Sequence, residues 1–262
     1  MRPVLEVQDL HQHYGAVHAL KGVSFQVMAG ECVALIGPNG AGKSTCFACL
    51  AGQQRAKKGG VTWRDQSLLN VPAESRRAMG VARTFQVAQV FEALSVFQNL
   101  QLALKAASGV SMFDSLDQCE VNAAKAWLQK MGLDDLSHEA LHAPAMNLSY
   151  GAKKRLELAV AMAGLNDPQT GLLLLDEPAA GLSPTERADM MQRVKSLAKQ
   201  GTTVLYTEHN MDAVFGVADR VLVLMEGQLV AQGLPHEVAA NALVRERYLG
   251  ASLDTLEFSD HA

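Results

Sequence analysis

The segment ECVALIGPNGAGKSTCFACL, residues 31–50, restricts the fold more than any other part of the chain. An apolar, β-prone run ends at Gly37, a glycine-rich loop follows, and a helical pattern resumes after Ser44. The loop satisfies G-x-x-x-x-G-K-[ST] through Gly37, Pro38, Asn39, Gly40, Ala41, Gly42, Lys43 and Ser44, with Thr45 next. Glycines let backbone N–H groups turn inward around a β-phosphate. A lysine at this spacing reaches the β and γ phosphates, and the following hydroxyl can be offered to Mg²⁺. Strand, loop and helix in this order predict an α/β fold with a nucleotide site.

The flanking sequence extends that core. Residues 4–10 and 19–27 read as strands of an N-terminal antiparallel sheet, 61–63 and 81–84 as further short strands, and 72–79 as a helix with proline near its start. From 94 to about 163 the β signal disappears. Val96, Leu100, Leu104, Trp127, Leu128 and Met131 predict a helical insertion there, with a loop at KAASGVSMFDS. Apolar β-like runs return in GLLLLDE, TTVLYTEH and RVLVLMEG, separated by helical segments over 184–199 and 211–217. The polar, acidic stretch 252–262 is expected to be loosely held.

A chain of 262 residues, 48% hydrophobic, can bury one sizeable core. The formal charge of −4, without a long basic run, argues against a general nucleic-acid binder. Cys32, Cys46, Cys49 and Cys119 follow no signal-like N-terminus and read as reduced thiols. Cys46 and Cys49 form C-x-x-C, but without a second ligand pair they read as packing residues of the helix behind the loop. No apolar run approaches the roughly 20 residues that span a bilayer, so a membrane role has to pass through a partner.

In LLLLDE, a buried strand delivers Asp176 and Glu177 to the edge of the sheet where ligands gather in α/β folds. Alone, such an acidic pair caps a helix or solvates a turn. Beside a phosphate loop it takes two roles: Asp176 holds Mg²⁺ through water, and Glu177 accepts a proton from an attacking water or orients it.

Phosphate loop, Gln86 in RTFQ, LSYGA, LLLLDEP and His209 in TEHN stand in the order and spacing of ATP-binding cassette (ABC) ATPases, and the chain resembles that family over nearly its whole length. The resemblance implies a single P-loop NTPase domain. Residues 1–86 and 165–250 would form the nucleotide-binding core with its β subdomain, 87–164 an α-helical subdomain, and 251–262 a flexible tail. It implies that Tyr14 stacks on adenine, that Gln86 touches Mg²⁺ or the lytic water, and that His209 contacts the γ-phosphate. It also implies that Ser149 and Gly151 of LSYG bind the γ-phosphate of ATP held by the phosphate loop of an opposite subunit. The family signature usually reads Leu-Ser-Gly-Gly-Gln; here Tyr150 and Ala152 replace the first glycine and the glutamine, and Ser183 stands where aspartate is usual. Lys153, Lys154 and Arg155 read as a solvated helix face.

GVARTFQ, VFEALSVFQNL, LSYG, LDEPAAGL and RYLG resemble, within that family, the ATP-binding subunits of importers for branched-chain and other hydrophobic amino acids. Relatives with similar ATPases serve amides, urea or aromatic acids. The implied cofactors are ATP and Mg²⁺. The implied partners are multi-spanning permease subunits, a second ABC ATPase that is identical or different and, indirectly, an external solute-binding protein. The implied location is the cytoplasmic face of the inner membrane. A groove for the permease is expected near 86–97, with Val90 and Phe91 as contacts. An export-type cassette and a soluble ABC protein are the alternatives; the latter usually carries two cassettes or long basic or coiled-coil insertions.

Overall fold

Strands that are apolar on both faces need cover on both sides, and the layering follows from that requirement. The computed structural model describes residues 2–108 and 121–250. In chain order, β1 (Pro3–Tyr14) and β2 (Val17–Met28) form a hairpin, and β3 (Cys32–Ile36) runs into the phosphate loop and α1 (Lys43–Ala51). β4 (Lys58–Trp63) and β5 (Gln66–Ser67) return to the hairpin, giving an antiparallel sheet of order β2-β1-β4-β5. α2 (Ala73–Arg76) and β6 (Val81–Arg83) lead to α3 (Val96–Ser108), α4 (Val121–Lys130), α5 (His138–His142) and α6 (Tyr150–Ala163). The chain continues through β7 (Leu172–Asp176), α7 (Pro184–Lys199), β8 (Thr203–Thr207) and α8 (Met211–Phe215). β9 (Arg220–Met225), β10 (Gln228–Gly233), α9 (Pro235–Ala240) and α10 (Ala242–Val244) follow.

The second sheet has the order β10-β9-β3-β8-β7-β6, parallel throughout except where β10 meets β9. Thr207 stands opposite both Leu35 and Asp176, so β3, β8 and β7 end level with one another. Their following loops therefore emerge along one edge. Alternate residues of these strands serve two cores. Val33, Leu35, Leu172, Leu174 and Leu205 pack with α1 and the antiparallel sheet, while Ala34, Ile36, Leu173, Leu175 and Tyr206 pack with residues of α6 and α7.

Two expectations need correction. The helix expected over 72–79 is α2 followed by a 3-10 turn, Arg77–Met79, closed by Gly80 in the left-handed region. In the expected loop KAASGVSMFDS, Lys105 to Ser108 belong to α3, because its apolar stripe docks on α6 and carries the helix onward, burying Lys105. The rest of that loop, Cys119 and the tail 251–262 lie outside the described residues. Cys32, Cys46 and Cys49 are buried free thiols. Burial pushes Cys49 up to about 11, Cys32 up to about 12 and Cys46 higher still, which fits packing and not thiolate chemistry. No helix among the described residues is long and apolar enough to cross a membrane.

Arg76 fixes the far end of the phosphate-loop helix. It is 3% exposed and donates to the carbonyls of Val71 (2.9 Å), Cys49 (3.0 Å), Leu50 and Leu68. Cys49 and Leu50 lie in the last turn of α1, where unpaired carbonyls and the helix dipole favour a cation. Arg76→Met would take this donor from all four carbonyls, leaving those of Leu50 and Val71 without it while Cys49 and Leu68 keep the N–H groups of Gly52 and Val71. We expect a loss of about 3 kcal/mol in urea unfolding; an unchanged midpoint would contradict this capping role.

Candidate nucleotide site

The loop after β3 is possible only with glycine at its ends. Gly37 has φ +148° and Gly42 φ +104°; a Cβ would lie 2.0 Å from the Leu224 carbonyl at the first and 2.4 Å from the Ala19 carbonyl at the second. The loop is thereby pressed against β9 and β2. Lys43, 7% exposed, donates to the carbonyls of Gly37 (2.6 Å) and Pro38 (3.1 Å). Burial holds its ammonium below the usual lysine range, and the nearby Glu177 and Asp176 carboxylates oppose that shift. A cavity of about 290 Å³ opens over the loop, lined by Asn39 to Thr45 together with Val17, His18, Glu177 and His209.

β7 presents its two carboxylates differently. Asp176 accepts from Arg83 (3.0 Å) and from the Thr207 hydroxyl (2.9 Å), while that same hydroxyl accepts the backbone N–H of Glu177 (3.0 Å). Glu177 sits at φ +48°, a left-handed conformation that costs a non-glycine residue about 1–2 kcal/mol. The turn aims its side chain into the cavity. One carboxylate oxygen accepts from the Gln86 side chain at 3.0 Å; the other lies 2.9 Å from His209 Nε2. Buried Glu208 secures this arrangement by accepting from the N–H groups of Ala179 (3.0 Å) and His209 (3.1 Å).

The structure thus gathers the phosphate loop, Glu177, Gln86 and His209. It places Ser149 and Gly151 elsewhere, at the start of α6 and outside the cavity lining. Ser149 caps α6 by accepting from Ala152 N–H at 3.3 Å. Tyr14 is also outside the lining; it stands 49% exposed, paired across the hairpin with Val17, which does line the cavity. Ser183 has a local use: with Glu186 it completes a capping box at the start of α7.

The basic trio of α6 is not a solvated face. Lys153 pairs with Glu92 (2.8 Å), Lys154 is 2% exposed and donates to the Phe85 carbonyl (2.8 Å), and Arg155 donates to the Gly132 carbonyl (2.5 Å). The helix lies beneath the RTFQ segment, so its cations meet carbonyls and carboxylates of neighbouring loops before they meet water. Val90 is likewise half-buried against the core, whereas Phe91 is 57% exposed.

For Mg²⁺ the donors expected from sequence are a hydroxyl (Ser44), an amide oxygen (Gln86) and a carboxylate (Asp176), all hard oxygen ligands of the kind this ion takes. Among the described residues no group of three or more His, Cys, Asp or Glu could hold a metal by itself.

Residues 20–180 match the ABC transporter family. The chain belongs to that family. It is 37% identical over 259 residues, 95% of this chain and 98% of the relative, to LivG of Escherichia coli K12, a high-affinity branched-chain amino acid transport ATP-binding protein. It is 32% identical over the same shares to BraF of Pseudomonas aeruginosa, described in the same terms. Among solved structures, the ADP conformation of an ATP-binding cassette from an ABC transporter superimposes with a TM-score of 0.82 at 29% identity, covering 95% of this chain and all of that one. A nucleotide-free cassette gives 0.81 at 28%, with the same coverage. The protein is an ABC ATPase cassette with the P-loop fold.

Several residues of this cassette's site escaped the sequence reading. Arg83 and Glu208 stood beside Gln86 and His209 in the quoted motifs, but nothing local showed that one would bind Asp176 and the other the backbone N–H groups of Ala179, His209 and Asn210. His18 and Val17 approach the cavity only because the hairpin folds over it. Glu157, 4% exposed, accepts from the N–H groups of Phe85 and Gln89, both at 3.1 Å, and lies 4.0 Å from Lys154. Burial pushes its carboxyl up from 4.5 to about 6, against those hydrogen bonds and the lysine. With the folded value above the unfolded one, the stability linked to this proton is complete below about 4.5 and lost as pH rises through about 6. Relative to Glu157→Gln, which cannot ionise, the native chain should melt progressively lower between about pH 4.5 and pH 6.5, with little further change above. A pH-independent difference would contradict this.

Proposed function

We propose that this cassette is the ATP-hydrolysing subunit of an importer for branched-chain or other hydrophobic amino acids, or related small solutes. The proposal rests on one observation above all: the Glu177 carboxylate is held between Gln86 and His209 at the wall of the phosphate-loop cavity. The names of LivG and BraF support the solute class.

In this reading the N–H groups of the glycine loop and Lys43 bind the phosphates, with Lys43 exchanging its carbonyl partners for phosphate oxygens. Tyr14, exposed beside the cavity mouth, stacks on the adenine. Ser44, Asp176 and Gln86 hold Mg²⁺, which supplies charge stabilisation when bound. Glu177 takes the proton of the attacking water, and Gln86 and His209 fix its two oxygens so that the carboxylate faces the γ-phosphate. Ser149 and Gly151, outside the cavity of their own chain, serve the site of a second cassette, identical or different. Closure of two cassettes on two ATP molecules drives the permeases through differential affinity for the closed state, and hydrolysis resets them. The cassette then works at the cytoplasmic face of the membrane, held there by its partners.

Glu177→Gln keeps the hydrogen-bonding frame and removes the base. We expect retained ATP affinity and at least about a hundredfold slower hydrolysis; near-native turnover would refute the role.

A groove of about 580 Å³ lies between β6, α3 and α6, with Phe85, Phe91, Ala103 and Val160 in its walls. Buried Asn99 clasps the Phe91 backbone, accepting from its N–H (2.9 Å) and donating to its carbonyl (3.1 Å), which leaves the ring at the rim. In our reading a cytoplasmic helix of the permease docks there. Phe91→Asp should reduce recovery of permease subunits with the tagged chain from detergent-solubilised membranes by about tenfold, the loss of one apolar anchor. Undiminished recovery would move the docking site elsewhere.

A further inference from the structure

The Gln86 segment is tied to α6 by a set of contacts that the reaction outlined above leaves unused. Tyr150 O–H donates to the Gln86 carbonyl at 3.3 Å, and Lys154 Nζ donates to the Phe85 carbonyl at 2.8 Å. A single oxygen of Glu157 accepts both Phe85 N–H and Gln89 N–H at 3.1 Å, so the bend at Gln86 and Val87 is pinned at its two feet. Residues 150, 154 and 157 are spaced i, i+4, i+7 and present one face of α6 to this bend. Tyr150 also lies against the turn after Glu177: a Cβ on Gly181, which has φ +77°, would come 3.0 Å from its ring.

We infer that Tyr150, Lys154 and Glu157 are positioning residues that hold the Gln86 bend on α6 and thereby set the Gln86 side chain against Glu177, to which it is bonded at 3.0 Å. The pair Lys154 and Glu157 fits such a task because both are buried, at 2% and 4% exposure, and each satisfies backbone groups of the bend as well as its partner. Breaking either alone would strand a buried charge. Tyr150, like Ala152, departs from the usual family signature, and its hydroxyl reaches a carbonyl that glycine could not.

The inference rests on the ATPase site proposed above, and its test separates the two. Glu157→Leu alone strands Lys154, so the informative variant is Lys154→Met with Glu157→Leu, compared in the full-length chain with Lys154→Met with Glu157→Gln and with Gln86→Ala. In the first double variant we expect kcat to fall at least tenfold with KM for ATP within about twofold, and the amides of Phe85 and Gln89 to exchange hydrogen faster. Lys154→Met with Glu157→Gln keeps the acceptor oxygen without stranding the lysine and should recover turnover to within about threefold of the native chain. Native kcat in the first double variant, or a change in KM alone, would overturn the positioning role. Unaltered exchange at Phe85 and Gln89 would overturn the cradle itself. Native turnover in Gln86→Ala would instead remove Gln86 from the catalytic site, a failure of the site reading that is visible whatever happens at Glu157.

Discussion

A carboxylate must be brought to an anionic substrate without being repelled or protonated out of use, and the core is arranged around that difficulty. Glu177 is turned into the cavity by a left-handed backbone residue, held there by Thr207 at its N–H and by Gln86 and His209 at its oxygens. The strain at that residue survives because β7 and β8 are locked side by side, with Asp176 level with Thr207 and bonded to it. Around it the positive ends are fixed as firmly: Lys43 is buried over the phosphate loop, and Arg83 is bonded to Asp176.

The same device recurs away from the cavity. Arg76, Lys154, Glu157 and Glu208 are buried charges whose hydrogen bonds run largely to backbone groups of loops. Each joins two segments far apart in sequence: Arg76 joins α1 to the segment before α2, Glu208 joins the ends of β7 and β8, and the α6 pair joins the Gln86 bend to the helical insertion. Loops have few apolar contacts with which to hold a shape, so charge-assisted bonds to N–H and carbonyl groups take over. A catalytic edge built from several loops acquires a defined geometry by this means.

Much of this was readable from the chain itself, for physical reasons that differ between residues. The phosphate loop was legible because its glycines answer to local backbone geometry, and LLLLDE because a strand buried on both faces must be continuously apolar. The helix over 184–199 was legible from its pattern, whereas Ser183 read only as standing in place of the usual aspartate, and its capping box with Glu186 emerged from the fold. Lys153 to Arg155 misled because charge adjacent in sequence resembles a solvated face until the neighbouring elements are known; their partners lie 20 to 70 residues away, at Gly132, Glu92 and Phe85. Lys105 to Ser108 misled for a related reason, since docking of α3 on α6 outweighed a loop-like composition. Tyr150 looked like a departure from pattern, and only the fold connects it to Gln86 and Gly181.

In the proposed reaction the Glu177 frame and the phosphate loop act on one γ-phosphate. A structure of the Glu177→Gln chain with Mg²⁺ and ATP tests it most directly. In that complex Lys43 is expected to leave the Gly37 and Pro38 carbonyls for phosphate oxygens, with Gln86, His209 and residue 177 gathered at the γ-phosphate. Phosphates bound away from this loop, or Lys43 still on those carbonyls with ATP in place, would contradict it.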